Sequence, residues 1–269
     1  MFILIKPKQL FRFFLGDSQK SSYFCIMKKK ILIYLIASVL ASPAVPALAQ
    51  TSDSGFGSIT KEQGKALRDS LAKATDVLAY HPDSIDLRLK KASWNIQLQQ
   101  WQYAKDDLDK VLFLNNTNIA GLYYRAYVNE QLRRYNFARL DYQNLLVLVP
   151  GNFQAQLGLA LLNQKDKHYT EAYDGINNLI EQYPDSAIAY AARGGMEKEK
   201  QQLELAEYDY AKAMQLDGQN ADYVVNHLDV LISLDRKNEA YADMERLLKM
   251  GYKSAQLQDF YARLRKKKK

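Results

Sequence analysis

Residues 119–152 read IAGLYYRAYVNEQLRRYNFARLDYQNLLVLVPGN, and their pattern returns every 34 residues between Ile85 and Ser254. One place in this frame is Ala in all five copies, at Ala104, Ala138, Ala172, Ala206 and Ala240. A second place holds Ala92, Ala126, Ala160, Gly194 and Leu228, small in four of the five. A third holds Pro82, Pro150 and Pro184, with Asn116 and Gly218 between them. Small side chains at two fixed places let two helices cross closely, and Pro or Gly stops the second helix. The unit is therefore a helical hairpin stacked on copies of itself, and the chain is all-α. Such a fold presents a surface and carries no reaction centre of its own, so function has to come from what it binds.

The spacing inside each unit is helical. Trp101, Ala104, Leu108, Val111 and Leu114 step by three or four residues and share one face, while Lys105, Asp106 and Asp109 fall on the other. The aromatic stripe reads as core. Ahead of the first unit, Thr60 to Tyr80 predicts one amphipathic helix, with Thr60 and Gln63 spaced as a capping box and Leu67, Leu71, Ala74 and Leu78 on one side. Behind the last, Ala255 to Leu264 carries Leu257, Phe260, Tyr261 and Leu264 as a terminal helix. Residues 60–84 and 255–269 thus bracket the units 85–118, 119–152, 153–186, 187–220 and 221–254. The fifth unit is the weakest match, with Leu228 at the small place, Lys237 where an aromatic opens the second helix elsewhere, and Tyr252 where Pro stands elsewhere.

These residues resemble the tetratricopeptide repeat family. An aromatic opens the second helix at Trp101, Tyr135 and Tyr169, the constant Ala follows three residues later, and a large residue comes four after that, at Leu108, Tyr142, Ile176, Tyr210 and Met244. The resemblance covers Ile85 to Ser254 and implies a right-handed α-solenoid of stacked helix-turn-helix repeats with capping helices at both ends. It also implies that the first helices line a concave groove. The places facing that groove hold Leu89, Lys90 and Ser93 in the first unit, Tyr123, Tyr124, Tyr127 and Gln131 in the second, and Leu157, Leu161 and Lys165 in the third. The Lys with which chaperone-binding members clamp a C-terminal carboxylate is missing, its place holding Leu89, Tyr123, Leu157, Ala191 and Val225. A partner helix or extended peptide packed over Tyr124 and Tyr127 is expected instead, since Tyr offers an apolar face and a hydroxyl at small entropic cost.

One pattern goes beyond the family. Two places 16 residues apart hold Lys91 and Asp107, Arg125 and Asp141, Arg193 and Asp209, His227 and Asp243, but Leu159 and Gly175 in the third unit. Cation and acid vanish together, which predicts an ion pair between the two helices of each hairpin.

The N-terminus carries a destination. Met27 is followed by Lys28, Lys29 and Lys30, an apolar run from Ile31 to Ala41, and Ala47-Leu48-Ala49 before Gln50. That is the order of a secretory signal peptide, 27–49, cleaved after Ala49, with 1–26 upstream of the true start and 50–59 a flexible linker. The apolar run is shorter than the roughly 20 residues of a membrane span. A periplasmic or secreted protein is expected. Its only cysteine, Cys25, lies in the leader, so the mature chain has no thiol chemistry.

Charge follows the same division. The leader to residue 49 holds seven of the 37 basic residues and one of the 30 acidic, and six more basic ones, Arg263 and Arg265 to Lys269, sit at the C-terminus. The body between is acidic, which argues against a nucleic-acid groove. The basic tail reads as a solvated helix end, or as a contact to glycan or an anionic membrane surface. His81, His168 and His227 lie in different units without second ligands at helical spacing, and no phosphate loop or nucleophile elbow occurs, so no cofactor, metal or catalytic residue is assigned. Ser84 and Ser186 stand just before helices as N-caps, and their Asp-Ser-aliphatic triplets also resemble a bacterial O-glycosylation acceptor. The expected protein is a monomeric, non-enzymatic exported adaptor or scaffold for a protein or peptide.

Overall fold

A computed structural model describes residues 60–265. The leader and linker, residues 1–59, and the tail Lys266 to Lys269 lie outside the described residues. The elements are α1 (Lys61–Tyr80), α2 (Ile85–Gln97), α3 (Trp101–Leu114), α4 (Ile119–Gln131), α5 (Tyr135–Leu148), α6 (Phe153–Lys165), α7 (Tyr169–Gln182), α8 (Ala187–Glu199), α9 (Leu203–Leu216), α10 (Ala221–Ser233), α11 (Lys237–Lys249), a 3-10 turn (Ser254–Leu257) and α12 (Gln258–Arg265). Each repeat is one hairpin of helices, as the period requires. The described chain divides into two compact units, one ending at Ala172 and one beginning at Tyr173.

In the N-terminal unit α1 packs on α2, and each helix from α2 to α5 packs on the next. The first helices α2, α4 and α6 also touch in turn, forming one continuous layer. Thr60 and Gln63 make the predicted capping box at the start of α1. Ala92, Ile96, Ala104, Leu108, Tyr127 and Val128 form one core cluster, and Leu112, Leu122, Ala126, Ala138, Tyr142, Leu145 and Leu162 belong to a second. In the C-terminal unit α8 packs on α9, α9 on α10, α10 on α11, and α12 returns to α10. The fifth hairpin is fully packed despite its weak match, with Leu228 and Ala240 both inaccessible to solvent.

The small places are crossing points. A Cβ on Gly194 of α8 would lie 3.2 Å from the Ala206 carbonyl oxygen and 3.3 Å from the Asp209 Cβ on α9. A larger side chain at the constant place would push the helices apart, which accounts for Ala in all five copies. The turn between the helices of each hairpin is also repeated. Gln99, Arg133, Lys167, Gln201 and Asp235 all take a left-handed backbone, with φ between 56° and 62°. The amide after each one bonds back to the first helix: Gln100 to Asn95, Arg134 to Asn129, His168 to Asn163, Gln202 to Glu197 and Arg236 to Leu231, at 2.8 to 2.9 Å. This closes the helix end by a Schellman motif.

Helix starts are capped by side chains in four repeats: Asn118 accepts from the Gly121 amide, Asn152 from Ala155, Ser186 from Ala189 and Asn220 from Asp222. Ser84 departs from its predicted role. Its hydroxyl makes no capping bond, while its backbone is engaged on both sides: its carbonyl accepts from the Arg88 amide at 3.0 Å and its amide donates to the His81 carbonyl at 3.2 Å.

Candidate partner-binding face

The paired places 16 residues apart are ion pairs in all four repeats that have them. Lys91 lies 3.1 Å from Asp107, Arg125 2.6 Å from Asp141, Arg193 2.6 Å from Asp209 and His227 2.6 Å from Asp243. The acids are buried, with side-chain exposures of 4, 2, 1 and 10 per cent. Burial raises the Asp107 carboxyl, and Lys91 and Arg88 oppose that rise. The cations do more than pair within a hairpin. Arg125 grips Asp141 with Nε and Nη2 and sends Nη1 back to Asp109 on the preceding repeat's second helix, at 3.0 Å. Arg193 repeats this with Asp209 and with Asn177 behind it, at 2.9 Å. Each guanidinium ties its own helix to the second helices of its own and the preceding repeat. In the third repeat Leu159 is instead packed against the second core cluster.

The ten predicted groove residues separate into two sets. Leu89, Lys90, Tyr124, Gln131, Leu161 and Lys165 remain partly or fully exposed on the touching helices α2, α4 and α6. Ser93, Tyr123, Tyr127 and Leu157 are buried. Tyr127 is the clearest departure from the expected contact: it is 1 per cent exposed, and Trp101 meets it edge to face with ring centroids 5.9 Å apart. A second helix carrying a large aromatic at its first position covers that ring, so no partner can pack over it. Tyr123 lies behind Tyr124, with centroids 5.9 Å apart, and in front of Tyr142, at 6.1 Å. Burial pushes the Tyr124 hydroxyl up to about 12 and raises that of Tyr123 further, so both remain donors and acceptors across the physiological range.

Two further groups could not be read from the repeat frame. Glu130, 6 per cent exposed at the inner end of α4, forms an ion pair with Lys165 of α6. Burial raises the Glu130 carboxyl, with Lys165 opposing. Arg139 of α5 reaches forward to Asp166 at 2.6 Å and to Asn163 at 3.1 Å. Both are inter-repeat contacts at places occupied differently from copy to copy, so no periodic signal marks them. Exposed rings also stand on the opposite side, on the second helices: Tyr103 and Phe113 on α3, and Phe137 on α5, between 63 and 79 per cent exposed.

Among the described residues no group of three or more His, Cys, Asp and Glu could hold a metal ion. None of the described helices is long and apolar enough to cross a membrane. Arg263 is part of the closing helix: it pairs with Asp229 of α10 at 2.6 Å, and Lys198 of α8 pairs with the same carboxylate. Those two cations hold Asp229 below the ordinary carboxylate range against the effect of burial.

No protein-family model matches the sequence, and no curated protein matches it. Solved structures do. A tetratricopeptide repeat protein from Parabacteroides merdae ATCC 43184 is 25% identical, over 78% of this chain and 82% of that one, with a TM-score of 0.63. The pilF protein of Pseudomonas aeruginosa is similar over 75% of this chain and 91% of its own, at 16% identity and a TM-score of 0.57. MamA matches over 63% of this chain and its whole length, at 19% identity and a TM-score of 0.53. Five helical hairpins in one 34-residue register, the repeated crossing points and this likeness together establish the tetratricopeptide repeat fold for this chain.

Proposed function

We propose that this protein is a non-enzymatic adaptor working outside the cytoplasm, which holds a protein or peptide against the first helices of its N-terminal unit. Proteins of this fold serve in general as protein–protein interaction scaffolds. The observation that carries the finer reading is the partly exposed set Leu89, Tyr124, Gln131, Leu161 and Lys165 on three helices that touch in sequence. It combines apolar and hydrogen-bonding groups with a single amphipathic ring, backed by Tyr123 and Tyr142 that limit its freedom. An extended segment or an amphipathic helix lying across α2, α4 and α6 would meet all of them.

Photo-crosslinking amino acids placed at Tyr124 and Leu161, and separately at Phe137 on α5, test the face. Adducts to the same partner from Tyr124 and Leu161, with none from Phe137, support the reading. Adducts from Phe137 alone would move the interface to the second helices. Export rests on the order of Lys28 to Lys30, the apolar run and Ala47-Leu48-Ala49. N-terminal sequencing of the native protein should find Gln50, and an intact Met1 or Met27 in the membrane fraction would mean a retained anchor.

A further inference from the structure

The fifth repeat carries an imidazole where the second and fourth carry a guanidinium. His227 stands between Asp243 on α11, 2.6 Å from Nδ1, and Glu207 on α9, 3.4 Å from Nε2. It therefore spans the second helices of its own and the preceding repeat, as Arg125 spans Asp141 and Asp109. The two cations are not equivalent. A guanidinium keeps five N–H groups and its charge at any physiological pH. An imidazole has two N–H groups only while protonated, so a neutral His227 can serve one of its carboxylates and must release the other. The remaining charges around it are Arg236, 3.3 Å from Glu207, and Glu239, which Arg236 also holds. With three acids against one further cation, the surroundings favour the imidazolium.

The neighbouring repeat makes a parallel replacement. In the second repeat the Asn129 amide donates to Asp141 at 3.2 Å. The same place in the fourth holds Glu197, 6 per cent exposed and beside Asp209. Its Oε2 is buried with no hydrogen-bond partner. A carboxyl reproduces the amide's donor only while it keeps its proton. Burial first, and then the charge of Asp209, push Glu197 up to about 8, with Arg193 opposing. Tyr173 of α7 and Tyr210 of α9 also lie within its field.

We propose that the fourth and fifth repeats form a proton-operated lock, closed while His227 and Glu197 are protonated and loosened when they lose those protons. The sign is the same at both residues. Asp243 and Glu207 raise His227 against its burial, so its contribution is full below the unfolded value and is lost as pH rises through the folded one. Glu197 binds its proton more tightly when folded, so stability falls as pH rises from the ordinary carboxylate range to about 8.

Hydrogen exchange of the full chain at about pH 5.5 and about pH 9, each corrected for intrinsic rates, tests the lock. Amides of α10 and α11 should lose protection about tenfold or more, and clearly more than those of α4 and α5, where Arg125 keeps its charge and Glu130 is the raised carboxyl. The double variant H227R with E197Q should flatten the response of α10 and α11. An equal response in both pairs of helices, or an unchanged response in that variant, overturns the proposal. Histidine titration by NMR in the unmodified protein is independent of how the variant folds: His227 titrating above the exposed His81 supports the lock, and at or below it overturns it.

Discussion

Arg125 and Asp141 show what single residues contribute. Two nitrogens of one guanidinium meet both oxygens of a carboxylate that is 2 per cent exposed, and the Asn129 amide occupies one of those oxygens as well. Replacing either partner alone leaves the other buried without compensation and is expected to cost about 2 to 4 kcal/mol in urea unfolding. Replacing both with apolar residues, as Leu159 does naturally on its own helix, should cost well under the sum. Purely additive losses would show that the two residues do not act as a pair. The left-handed turn residues predict the opposite sign. Gln99, Arg133, Lys167 and Gln201 hold side chains in a conformation that disfavours a Cβ by about 1 kcal/mol. Glycine at any one of them should therefore raise stability by up to about 0.5 kcal/mol after its own entropic cost, read from the midpoint of chemical unfolding. A loss of stability at all four would show that the turns are held by those side chains.

At the scale of helices, packing between α5 and α6 depends on one absent methyl group. A Cβ on Gly158 would lie 2.7 Å from Cζ of Tyr142, a ring with no solvent exposure. Gly158→Ala should lower thermal stability by about 1 to 3 kcal/mol, and Ala paired with Tyr142→Phe should recover part of it because the hydroxyl is among the contacted atoms. How much of this was legible follows from what repeats and what does not. The period, the constant Ala and the helical spacing locate the hairpins, because every copy states the same constraint. The clamp was legible within a hairpin because cation and acid change together, at Leu159 and Gly175. Its second half was not, because the place of Asp109 holds Gln143, Asn177, Ala211 and Glu245 in the other repeats. The left-handed turn was hidden for a similar reason: Gln, Arg, Lys and Asp give no common turn signal there. The burial of Tyr127 depends on Trp101, a residue of another repeat's second helix, and facing positions alone do not reveal what covers them.

For the whole molecule, the consequence is that affinity and stability should separate by residue. Tyr127→Ala removes a ring from the core and should destabilise by about 3 to 5 kcal/mol, so any loss of binding it causes says nothing of contact. Tyr124 and Leu161 are the informative pair, being partly exposed on adjacent first helices. The central claim is that a protein partner lies on that face, and the most direct measurement is calorimetric binding of the crosslinked partner to the Tyr124→Ala, Leu161→Ala double variant. The expected result is at least a tenfold weaker Kd, about 1.4 kcal/mol, with helical content retained. Equal affinity in a folded double variant, together with loss of binding in Phe137→Ala, would contradict it.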